Sequence, residues 1–187
     1  GCTASSRVYL GSWARPVQGA GFHRGLPRQV EDIGTGIVFV LVPEGAFLCG
    51  SRRDEVPPDA DAFEDFGVPA HDVVLTRPYY LGKYEVTQGE WERVMGGNPS
   101  EFAFGPQYPV ESVTWLEAIE FCRRADCRLP TEAEWEAACR SRGPGVCGSS
   151  AADEAWFGTG TSGDQYGTRP VGLKKPNPLG LHDMLGN

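Results

Sequence analysis

The residues of this 187-residue chain that could do chemistry are six cysteines, three histidines and several clustered acids. Cys2, Cys49, Cys122, Cys127, Cys139 and Cys147 include no Cys-x-x-Cys and no Cys-His pairing, so a zinc site is not expected. Two readings of them stay open. An even count in a loop-rich acidic chain fits an exported protein with disulfides. Equally, Cys122 and Cys139 suit small buried apolar positions on helices. His23, His71 and His182 are far apart and form no His-x-His or His-x-x-x-His, which assigns them to packing and hydrogen bonding rather than metal ligation. Glu132, Glu134 and Glu136 resemble an acid–base cluster, yet in the first turn of a helix they complement its dipole. Asp54, Glu55, Asp59, Asp61, Glu64 and Asp65 lie among Pro57, Pro58 and Pro69, and read as a solvated loop rather than a cation site.

Two apparent motifs fail on physical grounds. Gly158-Thr159-Gly160-Thr161-Ser162-Gly163 matches Gly-x-Gly-x-x-Gly, but Trp156-Phe157 is too short a strand to precede a dinucleotide site, and turn residues follow it. Asn98-Pro99-Ser100 carries proline where a glycosylation acceptor forbids it. No Gly-x-Ser-x-Gly elbow exists to start a Ser-His-Asp set. These residues alone name no reaction.

Composition narrows the class. Seventeen Lys+Arg against 25 Asp+Glu give a net charge of −8, which disfavours nucleic acid and anionic membranes, both of which need a basic face. No run approaches the roughly 18 apolar residues of a membrane span, so no transmembrane segment is expected. The length suits one well-filled core, and 25 Gly with 15 Pro predict a loop-rich fold. The chain opens on Gly1-Cys2 without an initiator Met, a start that would suit the lipid-bearing cysteine of a bacterial lipoprotein although no apolar run precedes it.

The elements that must position these residues can be read from Ile37 onward. Residues 1–36 show weak periodicity and are expected to be an extended tail or arm. Ile37–Val42 is a β-branched run, closed by Pro43-Glu44-Gly45, with Ala46-Phe47-Leu48 running back as a hairpin. His71, Val73 and Leu75 alternate along a further strand, and Arg77-Pro78 turns the chain into Tyr79–Val86. Three capping boxes then announce three helices: Thr87 with Glu90, Thr114 with Glu117, and Thr131 with Glu134. Each helix is expected to bury a stripe led by tryptophan: Trp91, Val94 and Met95; Trp115, Ala118, Ile119 and Cys122; Trp135, Ala138 and Cys139. Gly96-Gly97-Asn98-Pro99 ends the first helix, and a last strand is expected near Pro170-Val171-Gly172. The pattern predicts an irregular, loop-rich α+β domain over residues 37–187.

Arg128-Leu129-Pro130-Thr131-Glu132-Ala133-Glu134-Trp135-Glu136 closely resembles the RLPTEAEWE signature of the formylglycine-generating enzyme, or sulfatase-modifying factor, family. Other segments fall in the family's order: Pro43–Ser51 resembles its PGGxFxMGS, with Cys49 where Met is usual, and Pro69–Leu75 its PxHxVxL. Lys83-Tyr84-Glu85-Val86-Thr87 resembles KYEVT, and Pro109–Trp115 resembles PVxxVSW. Pro170-Val171-Gly172 resembles PVG, and Pro176–Asn187 resembles PNxxGLYDMxGN, with His182 where Tyr is usual.

The resemblance implies a fold related to C-type lectins, with bound calcium (Ca2+). Its type enzyme uses copper (Cu+) and O2 to oxidise the cysteine of a sulfatase Cys-x-Pro-x-Arg segment to formylglycine. The family's copper-binding cysteines lie beyond the equivalent of Asn187, so the chain is expected to be the N-terminal portion of the domain, inert by itself, with no catalytic residue assigned within it. Cys122 and Cys139 fall where the animal enzyme has structural disulfide cysteines whose partners also lie beyond. For calcium, Asp164 and Tyr166 match one family site and Asn187 begins another; the Asn completing the first is not evident near Glu154-Ala155, and the family's PWG is replaced by Val146-Cys147-Gly148. The expected setting is a bacterial, exported protein, with a protein or peptide partner such as a sulfatase. The rival readings are a non-catalytic binding module on the same scaffold and, third, an iron-dependent sulfoxide synthase.

Overall fold

In the computed structural model, the residues described are 12–52, 69–141, 151–156 and 167–187. The acids between Asp54 and Asp65, the Gly158–Gly163 motif, Cys2 and Cys147 lie outside them, as do Asp164 and Tyr166.

A four-stranded antiparallel sheet, in the order β1-β4-β5-β8, organises the fold. Its strands are β1 (Ala14–Pro16), β4 (Gln29–Asp32), β5 (Val38–Val42) and β8 (Tyr79–Gly82), while β2 (Phe22–His23) and β3 (Leu26–Pro27) pair beside it. Residues 14–32, within the stretch read from sequence as an arm without elements, therefore hold four short strands, and Val30 is fully buried. Two- to four-residue strands are too short to show alternation, and here sheet partners, not local pattern, fix them.

The sheet is buried on both faces. Phe39 and Leu41 join Val30, Ile37, Tyr80 and Val86 in one core cluster, whereas Val40 and Val42 join Tyr79, Leu81, Ala138, Leu181 and Met184 in the other. That is why Ile37–Val42 reads as an unbroken apolar run instead of alternating. It also overturns the expected hairpin. Both edges of β5 are taken, by β4 on one side and β8 on the other. The returning segment β6 (Gly45–Cys49) pairs instead with β7 (His71–Leu75), from Gly45↔Leu75 to Cys49↔His71.

The three main helices are α1 (Gln88–Met95), α2 (Trp115–Arg124) and α3 (Glu132–Cys139); α4 (Ala151–Glu154) is a single turn. All three expected capping boxes form, and each satisfies two backbone N–H groups that a helix start leaves unpaired. Helix α1 buries Trp91, whose ring stacks on Phe121 of α2 with centroids 5.0 Å apart and planes 2° from parallel. The second stripe differs from expectation. Helix α2 buries Ala118, Phe121 and Cys122 and leaves Trp115 67% exposed and Ile119 38% exposed. The stack on Trp91 sets the rotation of the helix, because burying a Phe ring stabilises by roughly 1.5–3 kcal/mol. Trp135 of α3 is likewise 38% exposed, while Ala138 is sealed. No strand forms at Pro170–Gly172. Gly172 instead lies against Tyr84, where a Cβ would meet Cε1 at 2.5 Å, and its φ of +76° suits glycine.

Candidate functional site

A cleft of about 470 Å³ opens between the N-terminal ends of α2 and α3. Val113, Trp115, Leu129, Pro130 and Trp135 give it apolar walls, and Glu111, Thr114, Thr131 and Glu132 its polar edge. Two helix starts meet here because each is pinned by its capping box: Thr114 N–H donates to Glu117 at 2.7 Å, and Thr131 N–H donates to Glu134 at 2.8 Å. Arg128 forks onto the same Glu134 at 2.7 and 2.5 Å, and the Tyr79 hydroxyl donates to the Glu134 carbonyl. The Arg128 guanidinium holds the Glu134 carboxyl below the usual range against the opposing effect of burial. The other wall turns on Ser112, at φ +59°, whose hydroxyl donates to Glu111 at 2.6 Å while Glu111 accepts the Phe102 N–H at 2.7 Å. A non-glycine residue held in the left-handed region is backbone strain placed at the edge of the cleft.

The three glutamates of the signature divide into different tasks. Glu134 caps and bridges. Glu136, beyond complementing the helix dipole, reaches back to β6, accepting from the Cys49 thiol at 2.9 Å and the Gly50 N–H at 2.8 Å, with Arg140 at 2.6 Å. Burial alone would raise its carboxyl, but Cys49, the Gly50 N–H and Arg140 together hold it below the usual range. Its partner Cys49 is pushed up to about 11, first by burial and then by the Glu136 carboxylate. Sequence gave no sign of this contact, since 87 residues separate the pair. Cys122 also keeps its proton, through a hydrogen bond with Cys127 and burial, and the Cys139 thiol faces the Met184 carbonyl at 3.8 Å. A raised thiol pKa lowers the thiolate fraction and so slows a cysteine as nucleophile or metal ligand.

Asn187 is half-buried in a polar corner against the buried Glu85. Its Nδ2 donates to Glu85 Oε2 and to the Arg169 carbonyl, each at 3.0 Å, and its Oδ1 accepts the Arg169 N–H at 2.9 Å. Burial pushes the Glu85 carboxyl up to about 7. Asp183 is also raised by burial, against the Gly172 N–H that donates to its Oδ2 at 2.7 Å, and its Oδ1 has no partner.

Of the residues implied as calcium ligands, only Asn187 is among the described ones. Calcium takes six to eight oxygens; here the Asn187 side-chain oxygen accepts the Arg169 N–H. Copper chemistry of the implied kind requires accessible thiolates. Cys122 is 2% exposed within the apolar core and protonated, so it does not fit. Among the described residues no cluster of three or more His, Cys, Asp or Glu could hold a metal, and no helix is long and apolar enough to cross a membrane.

Comparison with known proteins agrees with this architecture. The profile of the sulfatase-modifying factor enzyme 1-like domain matches residues 27–187. Chaperone protein LppX of Paenibacillus barcinonensis is 34% identical over 172 residues, covering 61% of this chain and 61% of its own. The formylglycine-generating enzyme of Thermomonospora curvata is 32% identical over 142 residues, covering 65% of this chain and 44% of its own. The chain thus spans less than two thirds of the length of either relative. Among solved structures, PvdO from Pseudomonas aeruginosa superposes with a TM-score of 0.65 at 25% identity, over 85% of this chain and 71% of that one. With its cap-led helices and signature loop now placed around one cleft, the chain belongs to the sulfatase-modifying factor enzyme 1-like, or formylglycine-generating, domain family.

Proposed function

We propose that this chain supplies the recognition face of a formylglycine-generating-type domain, and that the whole protein oxidises the cysteine of a Cys-x-Pro-x-Arg segment, as in a sulfatase, to formylglycine with copper and O2. The observation that carries the reading is the cleft between α2 and α3, where Trp115 and Trp135 stay exposed beside Pro130 and Glu132. Exposed tryptophans in a pocket with a polar edge are the usual anchors for an extended peptide, and an acidic rim favours its arginine. The oxidising thiols are assigned outside the described residues, because Cys49 and Cys122 are both held protonated. Calcium in a structural role is proposed at two sites, one of Asp164 and Tyr166 and another that Asn187 begins, and export with lipid at Cys2 is proposed for the setting.

A second reading, a binding module on the same scaffold without chemistry, draws on the same cleft and the same protonated thiols. One experiment separates them. Titrating the chain with a Cys-x-Pro-x-Arg peptide should change tryptophan fluorescence, and Trp115→Ala should weaken binding roughly tenfold. Equal binding of a scrambled peptide favours the module, and no binding removes the cleft from recognition. With copper and O2 the chain itself should consume no O2 in the presence of peptide; turnover would refute the placement of the chemistry elsewhere.

A further inference from the structure

The C-terminus of α2 carries two cysteines in a geometry that the rest of the fold does not use. The helix ends at Arg124, Ala125 caps it, and Asp126 adopts φ +51°. The Cys127 N–H then donates to the Cys122 carbonyl at 2.8 Å, and the Asp126 N–H to the Arg123 carbonyl at 3.4 Å. These are the two bonds of a Schellman turn, a motif that brings the side chain after the left-handed residue back onto the last helical turn. In most such turns the meeting pair is apolar. Here it is Cys122 and Cys127, and the neighbouring Cys127 thiol together with burial pushes the Cys122 thiol up. Both pack on the core cluster that holds Trp91 and Phe121; Cys122 is 2% exposed and Cys127 half-buried.

We propose that Cys122 and Cys127 are a built-in oxidation site that closes into an intrachain disulfide by exchange with a small-molecule disulfide of the glutathione class. Cys127, the more accessible sulfur, attacks as thiolate; the S–S bond of the reagent breaks, one thiolate leaves, and a mixed disulfide forms on Cys127. Cys122 then loses its proton to solvent and its sulfur attacks that of Cys127, expelling the second thiolate. Two protein thiols are oxidised, one disulfide is reduced to two thiols, and the two cysteine protons end on them.

Closure needs no long-range movement, because the turn's 2.8 Å backbone bond joins the two residues and both side chains pack on one cluster, and disulfides tolerate only close, suitably oriented cysteines. It also has a structural consequence. Cys127 immediately precedes Arg128, which clamps Glu134 at the start of α3, so the bond fastens the joint between the helices that flank the cleft. Cys49 and Cys139 do not compete from their places, being turned to Glu136 and the Met184 carbonyl.

The test is peptide mapping of the full chain after equilibration in glutathione buffers, with free thiols alkylated before digestion. Trypsin cuts after Arg93, Arg123, Arg124 and Arg128, so the disulfide should appear as residues 94–123 joined to residues 125–128. Finding Cys122 alkylated in oxidising buffer, or joined to Cys2, Cys49, Cys139 or Cys147, would overturn the assignment. Cys127→Ser should leave Cys122 reduced in the same buffer and melt within about 1 °C of the reduced parent, a surface-scale effect. The oxidised parent should melt on the order of 5 °C higher than the reduced one. A lower melting temperature on oxidation would show that the bond distorts the turn, which contradicts a site built to close.

Discussion

The amide of Asn187 donates to the carboxylate of Glu85 at 3.0 Å, 102 residues earlier in the chain. Glu85 stands between β8 and α1, so this bond, with the two to Arg169, ties the last described residue to the sheet–helix core. Asn187→Ala should therefore cost about 1–3 kcal/mol, the range for leaving a buried polar group without its partner, read by urea denaturation. A loss below about 0.3 kcal/mol would mean that the corner is no latch.

The rotation of α2 makes a sharp contrast between two aromatic residues. Phe121 is sealed and stacked on Trp91, so Phe121→Ala should destabilise by about 3–5 kcal/mol. Trp115 is mostly in solvent, and Trp115→Ala should change stability by about 0.5 kcal/mol or less. Equal costs in thermal melts would restore the stripe expected from sequence.

Thr131→Ala should cost about 1 kcal/mol by removing the side chain that accepts the Glu134 N–H. Because Glu134 also receives Arg128, the same variant should loosen the cleft wall, seen as faster amide exchange over residues 128–134 than in the parent.

Cys49 should be a slow thiol. With its pKa near 11, about one molecule in a thousand is thiolate at pH 8. Glu136→Gln removes the neighbouring carboxylate and should speed alkylation of Cys49 severalfold at that pH. An unchanged rate would assign the protection to burial alone.

His182 carries an acid sensitivity. Burial depresses its pKa and outweighs the Lys174 carbonyl, which faces Nδ1 at 3.0 Å and favours the protonated ring; Tyr84 lies beside it at 4.9 Å between centroids. The folded state therefore resists a proton that the unfolded chain accepts, and stability from His182 is lost as pH falls through about 6.5. Glu85 and Asp183, both raised, act in the opposite sense, so the readout is the difference between parent and His182→Phe. The parent should lose more stability than the variant between pH 7.5 and 5.5; parallel curves would remove His182 from the account.

The sequence by itself determined what is local. The three helix starts follow from Thr and Glu three residues apart, because a capping box needs only one turn of backbone. The family was equally legible, since its signature lies in one continuous stretch from Arg128 to Glu136. Tertiary structure decided the rest. Whether β6 pairs with β5 or β7 depended on which edges were already occupied, which no turn signal encodes. Strands β1 and β4 exist because β4 lies against β5 and β1 against β4. Which face of α2 is buried was settled by the stack between Trp91 and Phe121, and the pairing of Glu136 with Cys49 by the packing of α3 on β6. In each case the deciding energy belongs to a partner distant in sequence, and a pattern of period 2 or 3.6 carries no record of that partner.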